Sequence, residues 1–179
     1  MCPADEPPDE DDPEAAPLAS AGDRLAAAGR AVIAGLLREL VLHDGPLLPP
    51  RSVARILALG PAAVAPLIAL MVDSRLRAPD SPAAGWAPVH AARLLGQLGA
   101  AAAVEPLLDI LATTAQLSPL RQAVQEALAP LGSLLVTPIL DRLPTAVGGY
   151  RRELWFLLAN AGVRDARIFA QLLGALAES

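Results

Sequence analysis

The amino-acid sequence predicts an all-α fold built from repeated pairs of helices. Ala, Leu and Val dominate the apolar residues, while aromatic residues make up only 3% of the chain, a composition that favours helices over strands. Apolar residues recur at i, i+3, i+4 and i+7, which is the spacing of one helix face. These stripes return at similar intervals along the 179 residues, as they do in repeat proteins. We therefore expect an α-α superhelix of about four helix pairs after one N-terminal helix.

The first part of the chain is predicted to lie outside this domain. Residues 1–17 contain seven of the 19 acidic residues and five of the 18 prolines, with no basic residue. Such a segment cannot bury enough apolar surface to offset its chain entropy, so we expect a disordered acidic tail. Residues 18–179 form the predicted single repeat domain. It begins with a helix over about residues 20–43, which Gly45 and Pro46 bring to an end.

Four apolar stripes mark the second helix of each predicted pair. They are Val64, Leu67, Ile68 and Met71; Val104, Leu107, Leu108 and Leu111; Val136, Ile139, Leu140 and Leu143; and Phe169, Leu172, Leu173 and Leu176. Their first members are 40, 32 and 33 residues apart. A glycine precedes each stripe, and glycine suits a turn that needs a left-handed conformation. These turn glycines are Gly60, Gly99, Gly132 and Gly162. The predicted repeats cover about residues 50–72, 86–114, 118–144 and 148–178.

Two runs of the chain carry the repeat pattern most clearly. Residues 86–111 read WAPVHAARLLGQLGAAAAVEPLLDIL, and residues 120–143 read LRQAVQEALAPLGSLLVTPILDRL. Both resemble the HEAT-like repeats of the phycobilisome-lyase type, and Arg121 and Arg151 match that family's arginine near the start of the first helix. The resemblance covers roughly residues 50–178. It implies a right-handed solenoid of HEAT-like helix pairs that binds another macromolecule.

The sequence contains no pattern typical of a catalytic or metal centre. All 14 Lys and Arg residues are Arg, so no glycine-rich phosphate loop has its usual lysine, and no HExxH motif occurs. Cys2 is the only cysteine, which excludes an intramolecular disulfide and a cysteine-cluster metal site and fits a reducing cytoplasm. His43 and His90 have no nearby acidic ligand pattern. We expect no enzyme activity, no metal and no cofactor.

No targeting or membrane segment is expected either. The N-terminus is acidic and Pro-rich, whereas a signal peptide has a basic stretch followed by an apolar one. The longest apolar helical stretch, residues 25–42, is interrupted by Arg30, Arg38 and Glu39. It therefore falls short of the roughly 20 apolar residues that a membrane span needs. The sequence predicts a cytoplasmic protein without a membrane span.

The predicted function is the binding of a protein partner. Exposed positions of the second helices, which line the concave face of the predicted solenoid, and a C-terminal arginine cluster supply the candidate partner-binding residues. These are Glu105, Asp109, Asp141, Arg142, Arg151, Arg152, Arg164 and Arg167. The cluster either recognises an acidic or phosphate-bearing partner or is a solvated face balanced by Asp141, Glu153 and Asp165. Residues 18–179 carry 14 arginines against 12 acidic residues, and this small excess argues against nucleic-acid binding.

Two segments and the class of function stay open at this point. Residues 73–86 lengthen the first repeat by seven or eight residues, and such an insertion belongs either to a binding site or to a neutral loop. The acidic tail either competes for the arginines or simply aids solubility. The chain is predicted to be a scaffold or adaptor. The alternative is an accessory subunit of an enzyme of the bilin-lyase-like or nucleic-acid-processing kind.

Overall fold

The computed structural model describes residues 21–177, and it describes side chains for residues 27–174. Within these residues every regular element is an α-helix or a 3-10 helix, which confirms the predicted all-α fold. The predicted disordered tail, residues 1–17, lies outside the described residues. The α-helices are α1 (Ala21–Leu42), α2 (Pro50–Leu57), α3 (Val64–Val72), α4 (Trp86–Gln97), α5 (Val104–Thr113), α6 (Pro119–Leu128), α7 (Val136–Arg142), α8 (Gly148–Asn160) and α9 (Ala166–Ala177).

The described residues divide into two compact units, residues 21–32 and residues 33–177. Helix α1 begins in the first unit, where the side chains of residues 27–32 are exposed. The rest of α1 belongs to the second unit, and there Leu36 and Leu40 are buried with the core. All the other α-helices lie in this second unit.

The helices of the second unit alternate as the sequence predicts, with α2 and α3, α4 and α5, α6 and α7, and α8 and α9 separated by glycine turns. The four turn glycines have positive φ values, which residues with a Cβ atom rarely adopt. These values are 55° at Gly60, 61° at Gly99, 51° at Gly132 and 65° at Gly162. Short 3-10 segments lead from the first three turns into α3, α5 and α7. The predicted position of each turn is therefore confirmed.

Helices α4 and α6 approach each other closely. A Cβ built on Gly96 of α4 would lie 2.5 Å from the Cα of Ala127 in α6, a separation that real Cβ atoms do not reach. Glycine at position 96 thus allows the two backbones to pack directly. Helix α4 also contacts α2 and α3, while α3 contacts α5 and α7 contacts α9. Contacts between first helices thus join α2, α4 and α6, and contacts between second helices join α3 to α5 and α7 to α9.

The core follows three of the predicted stripes but departs from the fourth. Leu67, Leu108 and Ile139 are completely buried, as expected for the facing sides of paired helices. In α9, however, Phe169 is 64% exposed and Leu173 is 53% exposed. Leu172, at 42%, is exposed as well, so the prediction that the fourth stripe is core is wrong for these three side chains. The side chain of Leu176 lies outside the described residues. Among the described elements α9 makes its main contact with α7, and that contact leaves the stripe uncovered.

One stretch of the described chain has the length and apolar character of a membrane span. Residues Pro119–Arg142 have a mean hydropathy of 1.4 over the most apolar window, half of which is buried inside the protein. Gly132 interrupts this stretch between α6 and α7. The two helical segments Pro50–Leu57 and Gly60–Val72 meet at a sharp bend. They have the length and apolar character of a membrane span only if they are counted together as one. Buried core helices share these properties, so the stretch is weak evidence for a membrane segment.

Candidate partner-binding surface

Ion pairs join first helices that belong to successive predicted repeats. Arg93 of α4 donates from Nε to Glu126 of α6 at 3.2 Å, and Arg121 of α6 pairs with Glu153 of α8. The partners are 33 and 32 residues apart in sequence, which matches the spacing of the predicted repeats. These pairs tie α4 to α6 and α6 to α8.

Arg121 is the most deeply buried of these charged groups. It is only 5% exposed, and its Nη1 atom donates to the backbone oxygens of Leu111 at 2.7 Å and Thr114 at 2.8 Å. These carbonyls lie at the end of α5, where the helix itself provides no donors. The Arg121 backbone N–H donates in turn to the side chain of Ser118, which caps α6. This arginine therefore holds the end of α5, the start of α6 and Glu153 together.

Three of the predicted partner-binding residues bind each other. Arg142 of α7 donates to the Asp109 carboxylate at 2.7 Å and also bonds to Glu105, both in α5. Partial burial favours the neutral form of Arg142, but the hydrogen bonds that it donates to Glu105 and Asp109 outweigh this effect and raise the pKa of Arg142 above its ordinary value. Nearby, burial raises the pKa of Tyr150. This network joins second helices, so its charges are partly satisfied within the protein.

Arg167 is likewise engaged by neighbouring side chains. It forms an ion pair with Asp165 at 2.8 Å and donates to the Thr137 hydroxyl of α7 at 3.1 Å. The side-chain hydrogen bond from Arg167 lowers the pKa of Asp165. The hydrogen bond to Asp165 is the main reason that the pKa of Arg167 is raised, and the charge of Asp141, which is exposed, contributes as well. Arg167 therefore links the last two second helices.

The other three candidate arginines are exposed. Arg151, Arg152 and Arg164 have no ion-pair partner among the side chains that the structure describes. Arg152 lies two residues after Tyr150, which places it about 200° further round α8. It lines an open groove of about 400 Å³ with Arg121 and Glu153. The C-terminal arginines therefore do not form one cluster, because Arg142 and Arg152 occupy different faces.

The 73–86 insertion has a defined structure. Asp73 accepts from the Arg75 backbone N–H at 3.0 Å and caps a 3-10 helix, Ser74–Arg77. The side-chain hydrogen bond from Arg75 is the main reason that the pKa of Asp73 is lowered. The insertion ends at Gly85, whose φ of 84° turns the chain into α4 at Trp86. Together with the start of α4, the residue after α5 and the start of α6, it lines a half-open pocket of about 250 Å³.

His90 is buried and contacts the loop after α1. Its Nε2 atom lies 2.8 Å from the Gly45 oxygen, and its ring stacks on Trp86 at 6.2 Å between centroids. Burial lowers the pKa of His90 to about 4. His43 lies 5.6 Å away, ring to ring. No group of three or more possible metal ligands occurs among the described residues, so the two histidines hold the loop after α1 against α4.

Comparison with known proteins adds no assignment. No protein-family model matches the chain, and no curated protein or solved structure matches it significantly. The HEAT-like resemblance therefore stays a prediction from the repeat pattern, and the function has to be argued from the geometry of the second unit.

Proposed function

We propose that the chain is a non-catalytic scaffold or adaptor: a right-handed solenoid of HEAT-like helix pairs that holds a protein partner in the cytoplasm. The observation that carries this proposal is the series of ion pairs at repeat spacing. Arg93 with Glu126 and Arg121 with Glu153 join first helices, and Arg142 joins second helices. In stacked repeats each unit contacts its neighbours and presents a continuous binding surface. The regular pairing supports such a stack.

Some of the candidate arginines form ion pairs within the protein, whereas others are exposed and are available to contact a partner. Arg121, Arg142 and Arg167 have acidic partners in the chain. Arg151 and Arg152 are exposed on α8, and Arg164 follows this helix. A guanidinium forms paired hydrogen bonds with a carboxylate. We therefore propose that Arg151, Arg152 and Arg164 contact an acidic surface of the partner.

This surface is testable by charge reversal. Arg151, Arg152 and Arg164 are changed together to Glu, and the full-length variant and wild type are used to capture proteins from the native host. Mass spectrometry identifies the captured proteins, and purified partner is then titrated against each variant. We expect the triple variant to lose binding of the partner. The affinity of the wild type should fall as the salt concentration rises, because exposed charges are screened.

Arg51 provides the matched control, since it is exposed on α2 away in sequence from the last repeat. Arg51→Glu should bind the partner as wild type does. Both variants should keep the wild-type melting temperature, because exposed charges contribute little to stability. Equal binding by the triple variant would exclude this surface. A visible pigment that copurifies with the chain, or tight DNA binding, would instead favour the enzyme-accessory alternative.

A further inference from the structure

Helix α9 has an apolar stripe that the described residues leave mostly uncovered. Phe169, Leu172 and Leu173 are exposed, and the geometry of a helix places them within about 100° of its circumference. Ile168 borders this stripe and packs against the core. Helix α9 is therefore amphipathic, but only one edge of its apolar face is in contact with the rest of the protein.

The corresponding stripes of α5 and α7 are buried in every member. Helix α9 has its main contact with α7 alone, so the same kind of stripe remains open there. A helix at the end of a packed series usually has a polar outer face, because that face meets solvent. An apolar outer face is instead typical of a surface that another molecule covers.

The charges of α9 favour a second copy of the same stripe as the covering surface. Ala166–Ala177 include one charged side chain, Arg167, which lies on the side of the helix opposite the stripe. Arg167 is also held by Asp165 and by Thr137 of α7. Two such stripes can therefore meet without opposing like charges. A helix that lies in a membrane surface has a polar face rich in basic residues, which α9 lacks.

Symmetry favours a closed pair over a longer assembly. When the same patch is used by both copies about a two-fold axis, two chains cover both stripes at once. A head-to-tail contact would pair the stripe with a different surface and would leave one stripe open at the end of every assembly. The closed pair is therefore the smallest arrangement that removes all of this apolar surface from water.

We propose that two copies of the chain associate through α9, with the two apolar stripes packed against each other about a two-fold axis. Leu173 lies near the middle of α9, so its two copies lie close to this axis. The contact does not use Arg151, Arg152 or Arg164. Its test and the test of partner binding can therefore fail independently.

The available area sets the strength of this dimer. From their exposed fractions, the three stripe residues offer roughly 300 Å² in each copy. Their pairing buries about 600 Å² in total, whereas stable interfaces bury at least about 1,200 Å². We therefore expect a weak dimer with a Kd of about 1–100 µM. Below this range the chain is a monomer with α9 uncovered.

Sedimentation velocity of the full chain at about 1 µM to 1 mM measures this association. The average mass should rise from that of one chain to that of two, with a single Kd and no larger species. A reductant is kept present, because a disulfide between two Cys2 residues would also link two chains.

Three variants connect the association to α9. Leu173→Glu should raise the Kd at least about 100-fold, because two carboxylates would meet near the axis, and Phe169→Ala should raise it about 10-fold. Leu42→Glu is the matched control, since Leu42 is an exposed leucine of α1, and it should leave the Kd unchanged. Circular dichroism at low concentration checks folding, and Phe169→Ala decides the test if Leu173→Glu does not fold.

A charge exchange tests the two-fold axis itself. Leu173→Glu and Leu173→Arg should each be monomeric alone, because like charges meet across the axis. An equimolar mixture of the two variants should form a one-to-one pair, because opposite charges then face each other.

Several results would overturn the proposal. A wild-type chain that stays monomeric up to about 1 mM would exclude the dimer, and growth beyond two copies would show a head-to-tail contact. A mixture of the two Leu173 variants that stays monomeric would exclude the two-fold arrangement. Equal loss of association in Leu42→Glu and Leu173→Glu would move the contact away from α9. A monomeric chain that binds phosphatidylcholine vesicles would assign the stripe to a membrane surface.

Discussion

Replacing Arg121 with Met tests whether the buried ion pair holds neighbouring helix pairs together. Methionine keeps an apolar stem but removes a guanidinium that is only 5% exposed. The change leaves the carbonyls of Leu111 and Thr114 and the carboxylate of Glu153 without their Arg121 donor. The loss in the free energy of unfolding therefore measures the contacts of one charged group and not a loss of packing.

The size of the effect follows from these acceptors. Removing one partner of a buried ion pair costs about 3–5 kcal/mol, because the other charge stays buried. Each unsatisfied buried carbonyl would add about 1–3 kcal/mol if nothing moved. Glu153 keeps a hydrogen bond from Gln125, which reduces the loss. We expect the free energy of unfolding to fall by about 3–5 kcal/mol in total.

Urea unfolding followed by far-ultraviolet circular dichroism measures this change. With an m-value of about 1–3 kcal/mol per molar urea, the midpoint should fall by at least about 1 M. Arg151→Met is the control, since Arg151 is exposed on α8 and should change stability by less than about 0.5 kcal/mol. In a double variant, Glu153→Leu should restore part of the loss caused by Arg121→Met, because it removes the unpaired buried charge. Equal stability of Arg121→Met and Arg151→Met would refute the reasoning.

Gly96→Ala should lower the free energy of unfolding by about 1–3 kcal/mol, since the added Cβ would collide with Ala127. Gly35→Ala is the control: a Cβ there has nothing within 4 Å, so the substitution should raise the free energy of unfolding by up to about 1 kcal/mol. Leu108→Ala should cost about 2–5 kcal/mol in thermal unfolding; a harmless substitution would contradict its place in the core. His90 has a pKa of about 4 against 6.5 for an ordinary histidine, so the unfolded chain takes up the proton first. The contribution of neutral His90 to stability should be complete above about pH 6.5 and decline towards pH 4. His90→Gln should therefore flatten the dependence of the melting temperature on pH, and an unchanged dependence would contradict this prediction.

The sequence predicted the features that depend on local spacing. The periodicity of Leu107 and Leu108 defines one face of α5, and the need for a positive φ identifies Gly99 as a turn, so both could be placed without coordinates. Helix bounds followed from the same local signals. Only the stripe of α9 was misplaced, because exposure depends on which element packs against a helix and not on the helix itself.

The binding residues were harder to predict because they depend on distant partners. Arg142 looked available, yet its acceptors Glu105 and Asp109 lie 37 and 33 residues away. Arg121 carried the repeat pattern, but a charged residue is usually expected at the surface, and its burial became visible only with α5 and α8 around it. The pocket beside the 73–86 insertion is lined by residues as distant as Arg77 and Thr114 and could not be derived from any single segment.

The contacts of α9 imply an order in which the protein opens. Its exposed apolar stripe contributes little buried area, and its main described contact is with α7, reinforced by Arg167 and Thr137. Segments with few buried contacts open at low free-energy cost. We expect the amide hydrogens of α9 to exchange with solvent well before those of α4 and α6, whose backbones meet at Gly96. Helix α9 would then unfold locally while α4 and α6 remain packed against each other.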